Sequence, residues 1–176
     1  MLISINAQHF LKILHLLAVS FWVGGAFAIA IMGRAVAGAQ SDQELFGIMR
    51  AMRFVNVYVV VYLGAFGSFF TGLAYSLCTN RGFFRHKWVI IKWVITLGFI
   101  IGGFTLMGPW GGALLDMVHA DGLAAMYSPE YQAYASYLFM MQMLEFSGFF
   151  LAFILSVYKP WERQELVDMP MTMRRR

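Results

Sequence analysis

The sequence predicts an all-α membrane protein, a bundle of four transmembrane helices forming a single domain over residues 1–176. Three observations predict it. Of the 176 residues, 60% are hydrophobic and 12% charged, against about 45–50% and about 25% in an ordinary soluble domain. No soluble fold of this size can bury so much apolar side chain. The apolar residues also fall into four long runs, each near the roughly 20 residues that a helix needs to cross the hydrocarbon layer. None of the runs shows the period-2 alternation of a β-barrel strand. Cys78 is the only cysteine, which excludes a disulfide framework within the chain.

The first run extends roughly from Phe10 to Met32. It exceeds the about 7–15 apolar residues of a secretory signal, and no basic cluster precedes it, so it reads as a retained helix. The second run extends roughly from Phe54 to Leu77. Ahead of it, Leu45, Ile48, Met49 and Met52 recur at helical spacing between Ser41 and Arg53, which predicts an interfacial helix or an extension of the second span. The third run covers roughly Trp88 to Gly108, with Pro109 as its expected stop. Between Pro109 and Ser136 the chain is rich in Gly, Tyr and Met, as a cap or a simple connector would be. The fourth run covers roughly Tyr137 to Tyr158, before Lys159 and Pro160.

Lysine and arginine in the short loops set orientation. Arg81, Arg85 and Lys87 lie between spans two and three, and Lys159, Arg163 and Arg174 to Arg176 lie after span four. The loop between spans three and four holds Asp116, Asp121 and Glu130 and no lysine or arginine. Both termini are therefore expected on the cytoplasmic side of a bacterial cytoplasmic (inner) membrane, although Arg34, Arg50 and Arg53 then fall outside. The net charge of +4 reads as topology. The arginine tail has no interleaved aromatics, so nucleic acid is not an expected partner and membrane lipid is.

An ionisable side chain at membrane depth is costly and marks a functional candidate. Lys12 lies near the cytoplasmic end, where its ammonium can snorkel to the headgroups. His15 stands about 8 Å inside its run and Lys92 about 6 Å inside its own. Spans one and three run the same way, so these two residues share one depth, and neighbouring helices would bring them together. Imidazole is a common ligand of haem iron. A lysine beside it would neutralise a propionate or act as a second ligand, and Arg85 with His86 at the mouth of span three would hold propionates. Trp22 and Trp88 are flat partners for a porphyrin, and Gly25 gives room. Glu145, near the middle of span four, is the candidate catalytic group, as a proton relay or a contact for quinone or a cation. Each feature also has a plain reading: a histidine bonded to a neighbouring helix, glycines that let helices approach, and tryptophans of an interfacial belt. No phosphate loop, HExxH, nucleophile elbow or CxxC is present.

The stretch His15-Leu-Leu-Ala-Val-Ser-Phe-Trp22-Val-Gly-Gly25, with Trp88-Val-Ile-Ile-Lys92, resembles the membrane superfamily of HemJ-type protoporphyrinogen oxidases and CopD copper-resistance proteins. His15, Trp22, Gly25, Trp88 and Lys92 match the HemJ-type positions one for one. The resemblance implies a haem b held near His15 and Lys92. The chain has Ile31 where that type has an arginine, and Gly102-Gly103 where it has a Tyr-His pair. The resemblance therefore reaches the haem site and stops short of protoporphyrinogen oxidation.

These readings converge on a haem b-binding membrane redox protein that passes electrons to or from a quinone, as a homo-oligomer or with a partner subunit. The alternatives are a small copper or solute transporter, or a non-catalytic membrane anchor.

Overall fold

The computed structural model describes residues 4–78 and 87–158. Over these the chain is helical almost throughout, in four long helices. Helix α1 covers Ile5–Ala37, starting where the Ser4 side chain accepts the Ala7 N–H at 3.3 Å and ending at Gly38. Helix α2 covers Asp42–Cys78. Ser41 caps it by accepting the Glu44 N–H, while the Glu44 carboxylate reaches back to the Gln40 N–H at 2.9 Å; such reciprocal capping fixes where a helix begins. The amphipathic segment after Ser41 is therefore the opening of the second span, not a separate interfacial helix. Helix α4 covers Pro129–Tyr158. Its Ser128 hydroxyl takes the Tyr131 N–H, and proline suits the first helical position because it has no N–H to leave unpaired.

Helix α3 covers Lys87–Tyr127 and closes in a 3-10 turn over Gly122–Tyr127. It corrects the expectation that Pro109 ends the span. A proline inside a helix lacks its N–H and crowds the carbonyl four residues back, here Thr105. The helix widens to π geometry over Gly103–Met107, just ahead of the proline, and resumes as α-helix over Gly108–Asp121. This accommodates Pro109 without a break. A second and longer π stretch, Val55–Phe66, lies inside α2.

All four helices are long and apolar enough to cross a membrane. Large apolar side chains such as Phe10, Ile31, Val94 and Phe150 stand exposed on the outer faces, compatible with lipid around the bundle. The tightest seam joins α1 to α2. Ala18, Trp22 and Gly25 share one face of α1 and meet Gly67, Gly64 and Val60 of α2. A Cβ built on Gly64 would lie 2.6 Å from the Trp22 Cα, so the backbones approach as closely as only small residues permit. Contacts also run from α2 to α3, α3 to α4 and α4 to α1, which leaves α1 and α3 diagonal. One end is closed by an apolar cluster of Leu45, Leu114, Val118, Ala125 and Tyr131. There Asp42 accepts the Leu123 N–H at 2.7 Å, beside Gly122 with φ of 58°.

Candidate functional site

The bundle interior holds two polar places. The first is near the Cys78 end. His15 Nδ1 lies 3.0 Å from Thr71 Oγ1 on α2. The Thr71 hydroxyl donates to the Gly67 carbonyl at 2.6 Å, so its oxygen can only accept from the histidine. In the tautomer with its hydrogen on Nδ1 the imidazole donates to that oxygen, and Nε2 then carries the lone pair. The ring edge at Cε1 rests on α2 where Gly72 leaves room, 3.4 Å from where a Cβ would stand. Lys92 is held from the other side of the bundle: Nζ donates to Ser156 Oγ on α4 at 2.8 Å and lies 5.5 Å from the Trp88 ring centroid. His15 and Lys92 stand on the diagonal helices α1 and α3. Each is anchored by an adjacent helix.

The second place is mid-bundle. Trp22 Nε1 donates to Glu145 Oε1 at 2.7 Å, and both side chains are buried. Trp22 is thus a core residue tying α1 to α4 and not part of an interfacial belt. His15 precedes it by seven residues, or about 10 Å along the axis, so the two places are separate storeys. Nearby, Gln142 Nε2 donates to the Ala26 carbonyl at 3.0 Å. Beside Glu145 a cleft of about 490 Å³ runs between α2 and α3. Trp22 and Glu145 line one end, and Arg53, Gly108 and Pro109 line the other. Arg53 donates to the Gly108 carbonyl at 2.9 Å. The walls are apolar and aromatic apart from Asn56 and Tyr62, and both π stretches contribute to them.

The structure therefore pairs Trp22 with Glu145 and Trp88 with Lys92, and sets His15 across from Lys92. Gly25 packs against Val60 of α2. Ser147, two positions after Glu145, is exposed and donates to the Met143 carbonyl of its own helix. Lys12 is exposed, and His119 lies against Phe46. Arg85 and His86 fall outside the described residues. The sequence reading missed Thr71 and Ser156, the polar anchors of His15 and Lys92, whose only trace is a hydroxyl within an apolar run. It also missed the cleft and Arg53, which had been counted solely as a loop charge.

The donor chemistry at His15 suits a haem. An iron-binding imidazole donates its other ring N–H to a neighbouring acceptor, which fixes tautomer and orientation, and Thr71 fills that role. The cleft is not lined by His15 or Lys92, so it is a space distinct from any haem at that end. Among the described residues no three His, Cys, Asp or Glu side chains gather into a group able to hold a bare metal ion. Compared with known proteins, the chain matches no family model, no curated protein and no solved structure.

Proposed function

We propose that the chain is a haem b-binding redox protein of a bacterial cytoplasmic membrane, passing electrons to or from a quinone. The observation that carries this reading is His15, a partly buried imidazole whose Nδ1 is held 3.0 Å from Thr71 Oγ1, the arrangement that leaves Nε2 as the metal-binding nitrogen of the Nδ1–H tautomer. His15 would be an iron ligand. Lys92, anchored by Ser156, would stand opposite, as a cation toward a propionate or as a second ligand. A bound haem supplies one-electron exchange, with a potential set by axial ligands, nearby charge and burial. The protein's own part is to fix the imidazole, supply a positive charge and keep water out with apolar helices. Both termini are assigned to the cytoplasmic side, on the basic residues Arg81, Arg85, Lys87, Lys159, Arg163 and Arg174 to Arg176.

The test is the visible spectrum of protein purified from haem-replete cells. The reading predicts a Soret band that is lost in His15→Ala and kept in His119→Ala. Colourless wild-type protein refutes it.

A further inference from the structure

The cleft between α2 and α3 has a shape and a position that the haem reading does not use. Its volume of about 490 Å³ lies within the roughly 300–1,000 Å³ of small-molecule sites. It is elongated along α2, which lines it from Arg53 to Phe66. The cleft also reaches the outer face of the bundle. Tyr62 of α2 and Phe104 of α3 line it, yet they are 56% and 55% exposed. The Phe66 and Phe104 rings, 5.6 Å apart, stand between the two helices at this opening. In a membrane that face meets lipid, so an occupant arrives sideways from the bilayer.

The polar group inside sets the ligand's chemistry. Glu145 Oε1 is taken by the Trp22 N–H, so Oε2 is the oxygen left for an occupant. A carboxylate accepts from a ring hydroxyl, and a carboxylic acid donates to a ring carbonyl. One residue therefore serves both the reduced and the oxidised form of a quinone. Two π-helical stretches, Val55–Phe66 and Gly103–Met107, both line this cleft. Such departures from α geometry are frequent at functional sites, and here they occur on the two facing walls.

We propose that this cleft is a binding site, entered from the bilayer between α2 and α3, for the head group of a lipid-soluble quinone or quinol, with Glu145 as its hydrogen-bonding partner. The proposal deepens the redox reading by giving the quinone a place, and it concerns binding alone.

The experiment uses the full-length protein, prepared without haem, in phospholipid nanodiscs. The probes are a benzoquinone with one isoprene unit and its photoreactive azido analogue. The expected result is saturable binding, cross-links confined to the cleft lining on α2 and α3 and to Trp22 and Glu145, and affinity about tenfold weaker in Glu145→Met, the scale of one buried hydrogen bond. Gly103→Leu supplies a second variant, because Gly103 lines the cleft and nothing lies within 4 Å of its built Cβ. It should block binding while leaving thermal unfolding unchanged, and it decides the matter if Glu145→Met fails to fold. Cross-links at positions of α1 and α4 other than Trp22 and Glu145, wild-type affinity in Gly103→Leu, or retained phospholipid that the quinone does not displace each overturn the proposal. A colourless protein that binds the quinone removes only the haem reading, and a haem protein that does not bind it removes only this one.

Discussion

Replacing Gly64 by alanine probes the contact on which the mid-bundle geometry depends. The added Cβ would lie 2.6 Å from the Trp22 Cα and 2.7 Å from its N and Cβ, short of ordinary contact by most of an ångström. The obstacle is backbone, which cannot rotate away, so α1 and α2 must part. Overpacking of this kind costs about 1–3 kcal/mol. Parting also draws Trp22 from Glu145, weakening a buried hydrogen bond. Gly24, one position from the seam residue Gly25, is the matched control, since a Cβ there meets nothing within 4 Å. There alanine should gain up to about 1 kcal/mol through helix propensity. The two variants should therefore differ by about 2 kcal/mol or more in the free energy of unfolding. The assay is reversible unfolding in bicelles, titrated with sodium dodecyl sulfate and followed by tryptophan fluorescence. Equal stability of Gly64→Ala and Gly24→Ala would refute the close approach of the two helices.

Gly122→Ala should lower the thermal midpoint, because it forces an L side chain to a φ of 58° and drives its Cβ onto the Asp42 carboxyl. Losing the bond from Leu123 as well puts the cost at about 1–3 kcal/mol, and an unchanged midpoint would contradict the capped end. Pro109→Ala should be neutral or mildly stabilising by circular dichroism melting, since the π stretch already accommodates the proline; marked destabilisation would mean that the proline itself shapes α3. Lys92→Met should lower the reduction potential of the haem protein in a potentiometric titration, because removing a nearby cation disfavours the added electron. An unchanged potential would place the lysine away from the iron.

The architecture was legible because lipid solvation imposes it: four apolar runs of sufficient length leave few alternatives. Boundaries were less legible. The expectation that Pro109 stops a helix rests on α geometry, and a local change to π geometry escapes it, with glycines at 102, 103 and 108 giving the backbone room. The equal depth expected of His15 and Lys92 follows from counting residues along each helix, whereas the diagonal placement of α1 and α3 does not, because helix order around a bundle depends on side-chain fit. Trp22 and Glu145 were each visible as candidates. Their pairing depends on the α1–α4 contact, which no spacing within one helix encodes. The cleft was illegible for the same reason: it is made of ordinary Val, Phe and Gly residues and exists only because α2 and α3 stay apart there.

The most direct test of the central claim is a haem titration of nanodisc-embedded protein prepared without haem, comparing wild type with His15→Ala and following the Soret band. The account predicts a saturable band in wild type and none in His15→Ala, with both proteins equally helical by circular dichroism. Two titrations that superimpose would contradict it, and His15 would then be a histidine that ties α1 to α2 through Thr71 and nothing more.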